Sequence, residues 1–393
     1  MFKRILYTSF VDISIPYGPG VNELVFIKDL FRRYRDNLHV VIPRPSRGMP
    51  AELAALGSTY LTVAGSSRTV FGWLQARTLG ALSLWSATRR FDPDLIVMRS
   101  GSMAIPQLMV TLQKKVPYVI KTAGDGSHSR FYARNPVSGS LKFIDQIIHR
   151  RILARSSCID LVSESQRKNM TRLFPDLDDR IHVIDNGVDA SFFEIEDSSA
   201  SRNSMGFGED EIVVGYVGNF PMRRGGKEVV DVVAALATSA PVRGLIVGDS
   251  GEAEACRRHA EACGVSDRVL VYGEADYSDL PFLMIVIDCG LSILRQQERG
   301  ASEQKVRQYL AAAACVVGTA GSNDFLRDYD FARVVETDQP AEVIAAVESL
   351  IAGGRSRLVK LGQKARKYAS QELTISARND IRLQYWAAHT GKG

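Results

Sequence analysis

Three short stretches combine glycine with charged or amide side chains in a way that suits an anionic ligand. The first is Tyr17-Gly18-Pro19-Gly20-Val21. Glycine lets the backbone come close to a phosphate, and a helix beginning just after it offers unpaired N–H groups at its positive end. The second runs from Gly215-Tyr216-Val217-Gly218-Asn219 to Arg223-Arg224-Gly225-Gly226-Lys227. Its glycines leave room, and its arginines and lysine put cations where a diphosphate would lie. A glycine-rich turn with solvated arginines is the plainer alternative. The third is Ser302-Glu303-Gln304-Lys305-Val306-Arg307-Gln308-Tyr309. Ser302 is suited to cap a helix starting here, and Lys305 and Gln308, three residues apart, then share one face. Amides, an ammonium and a carboxamide at one helix end suit a phosphate with a ribose above it. A capped helix with a wet polar face is the plainer alternative.

Such loops need strands and helices to hold them at the edge of a sheet. Apolar runs alternate with helical patterns nearly throughout, which predicts α/β units around parallel sheets. In the first half the runs Arg4–Ser9, His39–Pro43, Leu95–Met98, Tyr118–Lys121, Cys158–Val162 and Ile181–Ile184 read as strands. Between them lie helical stretches at Val21–Arg35, Phe71–Arg90, Met103–Lys114 and Leu141–Ala154. The stretch Asp189–Asp210 is acidic, serine-rich and poor in apolar residues, and reads as a linker. The alternation then restarts, with strands at Ile212–Val217, Arg243–Val247, Val269–Tyr272, Ile285–Leu291 and Cys315–Gly318. Helices are expected at Lys227–Thr238, Glu252–Cys263, Glu303–Ala313 and from Pro340 onward, broken near Gly353-Gly354 and Ser370–Leu373. Two similar α/β halves result.

A chain of 393 residues with 45% hydrophobic and 24% charged content is an ordinary globular one, large enough for two cores. The N-terminal residues lack the apolar stretch of a secretory signal, and no apolar run is long enough to span a bilayer. The segment Leu280–Leu294 is interrupted by Asp288 and reads as a buried strand. Cys158, Cys256, Cys263, Cys289 and Cys315 are scattered, with no CxxC pair and no histidine cluster at ligand spacing. They are expected to be small buried hydrophobes in a reducing compartment. Charge is unevenly placed. Residues 1–160 carry a net +12, residues 161–350 a net −14 and residues 351–393 a net +7. A basic half suits an anionic membrane surface, nucleic acid or a phosphorylated substrate. Nucleic acid is disfavoured, because no recognisable nucleic-acid motif accompanies the charge.

Taken together, these pieces resemble the family 4 retaining glycosyltransferases of the GT-B fold. Ser163-Glu-Ser-Gln through Arg180-Ile-His-Val-Ile-Asp-Asn186-Gly187-Val188-Asp189 is similar to the family's "SE…RIxVIxNGVD" segment. Val214-Gly-Tyr-Val-Gly218 with Arg224-Gly225 is similar to its "GYVGR…KG" turn. Asp288-Cys-Gly-Leu-Ser-Ile-Leu294, followed by Ser302-xx-Lys305-xx-Gln308-Tyr-Leu and the alanine run to Val317, is similar to its "DxGLxPL…SPxKxxEYLAAGxPVV" stretch. The sequence departs from the family at several points. Asn219 stands where the family has an arginine on the donor phosphates, and Gln308 replaces the second of two paired glutamates. Gly300 occupies the first glutamate's spacing, where Glu298 or Glu303 could substitute. The histidine common after the fourth Rossmann-type strand is replaced within Thr122-Ala-Gly124-Asp125-Gly-Ser-His128.

The resemblance implies two Rossmann-like domains facing each other across a cleft. Residues 1–190 would form the acceptor-side domain, joined by the final helix at 373–393, with a linker at 191–210 and a nucleotide-sugar domain at 211–372. It implies sugar transfer from a nucleoside-diphosphate sugar with retention of configuration and no metal or other cofactor. Gly20, Gly218, Asn219, Arg224, Glu298, Ser302, Lys305 and Gln308 would bind the donor. Asp125, with His128 second, would position or deprotonate the acceptor. The triplets at Asp92–Asp94, Asp176–Asp178 and Asp328–Asp330 read as strand entry and solvated loops. Two rival classes are a degenerate sugar-nucleotide binder without activity and a GT-B-type sugar-nucleotide epimerase. Donor hydrolysis without acceptor would argue against the first, and release of free nucleoside diphosphate with a glycosylated product would exclude the second.

The +12 and +7 segments should lie together if the final helix returns to the first domain. Arg32, Arg33 and Arg35, Arg89-Arg90 and Arg150-Arg151 end three helices, and Phe71-Gly-Trp73-Leu74 and Leu82-Leu84-Trp85 add apolar surface, part of it core. Basic helix ends beside exposed aromatic residues suit an anionic bilayer. The expectation is a cytoplasmic protein on the inner membrane face, acting on a lipid-linked acceptor for a surface glycan.

Overall fold

The computed structural model describes residues 2–15, 18–50, 53, 60–63, 70–99, 104–111, 116–122, 138–220, 222, 224–296, 300 and 302–391, with 60–63, 70–78, 138–142 and 250 as backbone. The chain divides into two compact units, one of Met1–Asn186 with Arg378–Gly393, the other of Gly187–Ala377.

The first unit is built on seven strands, β1 (Ile5–Thr8), β2 (Leu38–Pro43), β3 (Tyr60–Val63), β4 (Leu95–Arg99), β5 (Tyr118–Thr122), β6 (Cys158–Leu161) and β7 (Ile181–Val183). All pairs are parallel, in the order β3-β2-β1-β4-β5-β6-β7. The central strands are buried along their whole length because helices cover both faces. The crossovers are α1 (Gly18–Tyr34), α2 (Val70–Phe91), α3 (Ile105–Thr111), α4 (Ser138–Arg155) and α5 (Glu164–Leu173). Right-handed crossovers and the reversal of strand order at β1 and β4 place α2, α3 and α4 side by side on the face opposite α1. β3 is an edge strand that the sequence reading passed over. It is four residues long, and Thr62 interrupts its apolar run.

The second unit has six strands, β8 (Ile212–Val217), β9 (Val242–Val247), β10 (Val269–Gly273), β11 (Cys289–Ser292), β12 (Cys315–Thr319) and β13 (Ala332–Val335), again parallel, in the order β10-β9-β8-β11-β12-β13. Its helices are α6 (Ser199–Ser204), α7 (Gly226–Leu236), α8 (Ser250–Ala262), α9 (Leu280–Met284), α10 (Gln304–Ala311), α11 (Pro340–Ile351) and α12 (Gly354–Glu372). The expected strand Ile285–Leu291 begins only at Cys289, and Leu280–Met284 is helical. Asp288 fixes that boundary. Its carboxylate accepts from Val213 N at 2.8 Å and pairs with Arg202 at 3.2 Å and Arg355 at 3.3 Å.

Arg202 also overturns the linker expected at 191–210. It is buried, and Phe192 and Phe207 belong to the core of the second unit. Arg202 donates to Val286 O, Gly208 O and Glu211 O. One arginine thus ties a serine-rich, locally polar stretch into the unit.

α13 (Ile375–Thr390) starts in the second unit, and from Arg378 onward it belongs to the first. Arg382 is buried and donates to Asp160 Oδ2, Ile184 O and Asp185 O, each at 2.8 Å. Asn379 donates to Asp29 Oδ2 at 2.7 Å, and Trp386 packs edge-on to Phe26. This corrects the charge expectation. Only Arg378, Arg382 and Lys392 of the basic C-terminal tail fall in the first unit, and Arg378 and Arg382 are paired with Asp185 and Asp160. Arg355, Arg357, Lys360, Lys364, Arg366 and Lys367 lie on α12 of the second unit instead.

Gly187 shows why the Asn-Gly-Val-Asp run needs its glycine. A Cβ there would sit 2.2 Å from Ile375 Cα, because Val188 N donates to Leu373 O and Ile375 N to Val188 O. Gly187→Ala is expected to cost about 1–3 kcal/mol through forced backbone displacement. A melting temperature lower by several degrees checks this, and an unchanged one would show that the segment yields freely.

Candidate functional site

Strand order reverses between β8 and β11, and in open α/β sheets ligands collect beyond the C-terminal strand ends at such a point. β8 ends at Val217 and β11 at Ser292, and four polar side chains converge there. Ser292 Oγ donates to Glu303 Oε2 at 2.8 Å, and Lys305 Nζ lies 3.2 Å from the same oxygen. Arg224 reaches the other carboxylate oxygen at 3.9 Å. Lys305 Nζ also stands 4.3 Å over the Tyr216 ring, and Arg224 lies against Phe220. Tyr309 Oη accepts from Val217 N at 2.8 Å and so holds α10 against the end of β8. Burial first, and then Glu303, pushes the Tyr216 hydroxyl far above its ordinary range, so the ring stays a neutral platform for the ammonium.

The glycines earn their places by contact. Gly225 has φ +124°, and a Cβ on it would meet the Tyr216 ring at 2.7 Å, so only glycine lets α7 begin so close to the site. A Cβ on Gly218 would lie 2.5 Å from Tyr216 Oη.

Of the expected donor residues, Gly218, Arg224, Lys305 and Gln308 fall at this strand edge or on the helix facing it. Lys305 and Gln308 are both buried, three residues apart on α10. Asn219 is exposed just past β8. Ser302 is not the N-cap: that position falls to Glu303, whose side chain turns to Ser292, Lys305 and Arg224 rather than to the helix's backbone amides. The Ser302 hydroxyl is left buried with no partner among the described residues, a donor open to a ligand. Lys227, also read as a phosphate cation, pairs with Asp231 at 2.6 Å. Arg223, Glu298, Asp125 and His128 lie outside the described residues. Ser292 and Tyr216 were missed as site residues, although both sit in the motifs that carried the resemblance.

The Asp-x-Asp triplets serve local structure. Asp94 accepts from Lys3 N and Arg4 N at the entry of β1, Asp178 pairs with Arg167, and Asp330 with Lys364.

The first unit has a charge cluster at its own reversal point, between β1 and β4. Glu23 of α1 is wholly buried and meets Arg99 from the end of β4, Lys121 Nζ from β5 at 3.2 Å and the Tyr7 hydroxyl from β1. Burial alone would raise the Glu23 carboxyl, but Arg99, Lys121 and the hydroxyls of Tyr7 and Ser9 bring it down to about 2. Burial instead lowers Lys121 to about 8, against the pull of Glu23. Both shifts run downward, favouring the charged carboxylate but the neutral amine, because one carboxylate serves two cations. Gly20 lies buried in the first turn of α1, one turn before Glu23. Sequence spacing could not show this cluster, whose members are brought together by parallel strands.

A family model described as Glycosyltransferase Family 4 matches residues 25–192, and one described as Glycosyl transferases group 1 matches residues 211–353. A teichuronic acid biosynthesis glycosyltransferase, TuaH of Bacillus subtilis (strain 168), is 23% identical over 227 residues, a match spanning 55% of each chain. Among solved structures, Anabaena Alr3699/HepE in complex with UDP and glucose is similar with a TM-score of 0.73 at 16% identity, over 98% of this chain and 100% of that one. WaaG, a glycosyltransferase involved in lipopolysaccharide biosynthesis, gives a TM-score of 0.70 at 14% identity, over 98% and 100%. Each half matches a glycosyltransferase model and the doubly wound architecture is shared along the chain, so the protein is a family 4-like glycosyltransferase of the GT-B fold.

Proposed function

We propose that the protein transfers a sugar, with retention of configuration, from a nucleoside-diphosphate sugar held by the second unit to an acceptor held by the first. The observation that carries the donor half is Lys305, held between Glu303 and the Tyr216 ring where β8 and β11 diverge. A buried ammonium with an arginine beside it meets a diphosphate, and the free amides at the start of α10 add to its field. As the anomeric bond breaks, negative charge grows on the departing diphosphate, and fixed cations stabilise it without reorganising. Glu303 then takes the place of the missing paired glutamates, orienting Lys305 and offering an acceptor to the ribose hydroxyls. HepE, solved with UDP and glucose, makes a uridine donor the first to test.

A purified sample warmed with a panel of UDP- and GDP-sugars gives the test. The cognate donor raises the melting temperature, and added acceptor releases free nucleoside diphosphate with a glycosylated product. Donor binding without any product would leave the sugar-nucleotide binder.

The acceptor half of the proposal is a lipid-linked glycan reached from the cytoplasmic membrane face. Leu82 is 60% exposed and Phe143 64%, with Leu79, Met109, Ile144 and Ile147 also exposed on the adjacent helices α2, α3 and α4. Leu82 is therefore not core, whereas Leu84 is; the side chains of Phe71, Trp73 and Leu74 lie outside the described residues. α2 ends in exposed Arg89-Arg90, with Arg89 stacked on Trp85 at 4.0 Å, and α4 carries exposed Arg150-Arg151 one turn before its terminal, exposed Arg155. An apolar strip with a basic end suits an anionic bilayer. Among the described residues no helix is long and apolar enough to cross a membrane. The protein is expected to co-sediment with anionic vesicles at low salt, to be released at high salt, and to bind less as Phe143→Ser. Failure to bind at low salt would leave a soluble acceptor.

A further inference from the structure

The second unit brings an imidazole, a thiol and a carboxylate to one place that sugar transfer does not use. Asp231 lies midway along α7, while His259 and Cys263 lie one turn apart at the end of α8. His259 Nε2 is 2.7 Å from Asp231 Oδ1 and 3.9 Å from Cys263 Sγ, and one ligand atom from each residue lies within 4.8 Å of the others. Lys227 Nζ, 2.6 Å from Asp231 Oδ2, holds the carboxylate by its other oxygen. A plain hydrogen bond between Asp231 and His259 accounts for two of the three groups. It leaves the thiol without a reason. Cysteine is among the most buried residue types, and Cys158, Cys256, Cys289 and Cys315 follow that habit, yet Cys263 is exposed.

We propose that Asp231 Oδ1, His259 Nε2 and Cys263 Sγ form a binding site for a thiophilic divalent cation, Zn2+ being the fitting ion, with water as fourth ligand. Zn2+ takes nitrogen, sulfur and oxygen at about 2.0–2.3 Å in a tetrahedron, which sets neighbouring ligand atoms about 3.3–3.6 Å apart. The 2.7 Å pair must open and the 3.9 Å pair close by roughly half an ångström each, which partly buried Asp231 and His259 and exposed Cys263 can do by side-chain rotation. A thiolate ligand selects against Mg2+ and Ca2+, which take oxygen. On binding, Cys263 releases its thiol proton to solvent, and His259 binds through Nε2 with its one ring proton on Nδ1. Lys227 then supports the ligating carboxylate from behind. The ion would clip α7, the helix that opens at Gly225, to α8.

The test uses the full chain, freed of metal by a chelator and titrated with Co2+ and then Zn2+. One Co2+ per chain with a thiolate-to-cobalt absorption band is expected, displaced by one equivalent of Zn2+, together with a Zn2+-dependent rise in melting temperature. Cys263→Ser is expected to abolish the band, and His259→Gln to weaken Zn2+ binding by more than about tenfold. Both residues lie at the surface, so circular dichroism of the variants should match the parent. No thiolate band in the parent, a band that persists in Cys263→Ser, or unchanged Zn2+ affinity in His259→Gln overturns the site. The readout is metal binding alone, so its failure leaves the transferase reading untouched.

Discussion

Replacing Lys305 with alanine is expected to weaken nucleotide-sugar binding on the order of ten- to hundredfold, about 1.5–3 kcal/mol for a charged hydrogen bond. Two features set this size. Lys305 is 9% exposed, so its charge acts on a diphosphate with little screening by water, and Glu303 with Tyr216 fixes it before any ligand arrives. Arg224 is more exposed and sits farther from Glu303, so Arg224→Ala should lose less. The two losses will not add, because both cations answer to one carboxylate. Calorimetric titration of each variant with the cognate nucleoside diphosphate measures the loss, and melting without ligand shows that the fold survives. Affinity equal to the parent in Lys305→Ala would remove this strand edge as the donor site.

The second large effect lies in the first unit. Glu23→Ala leaves Arg99 and Lys121 buried without their carboxylate, which typically costs about 3–5 kcal/mol. For a unit of this size the melting temperature should fall on the order of 10 °C. The pH dependence follows from the direction of each shift. Glu23 is held down to about 2 from an ordinary 4.5, so its stabilisation is complete above about 4.5 and is lost as the pH falls toward 2. Lys121 is held down to about 8 from 10.5, so the folded form sheds its proton before the unfolded form does. That lysine makes stability rise with pH between about 8 and 10.5. Glu23→Gln should flatten the acid limb and Lys121→Met the alkaline one. A Glu23→Ala melting temperature within about 2 °C of the parent would show that water reaches both cations.

What the sequence made legible was whatever is written in neighbouring residues. Runs such as Ile212–Val217 are apolar from end to end because both faces are covered, and their period needs no partner to be read. β3 and β13 escaped because each is a four-residue edge strand interrupted by a polar residue, Thr62 and Arg333. The stretch 191–210 was misread for a different reason. Its serines and acids do favour a turn-rich linker, and Val286 and Asp288, far along the chain, help make Arg202 a buried anchor. At the candidate site, glycine and lysine spacing located Gly218 and Lys305, but the N-cap position fell to Glu303 rather than Ser302, its carboxylate drawn to Ser292, Arg224 and Lys305. Glu23, Arg99 and Lys121 belong to α1, β4 and β5, and no local pattern joins them.

The return of α13 to the first unit has a consequence for how the chain is made. Residues 187–377 are contiguous and can complete their fold as soon as they leave the ribosome. The first unit cannot, although its strands are synthesised earlier. Asp160 is a buried carboxylate whose guanidinium partner is Arg382, more than two hundred residues downstream, and Asn379 and Trp386 arrive with it. Until that helix emerges, Phe26 and the carboxylates of Asp29 and Asp160 lack their covers. A nascent chain that stalls inside the second unit therefore shows an unfinished first unit to chaperones and proteases until α13 closes it.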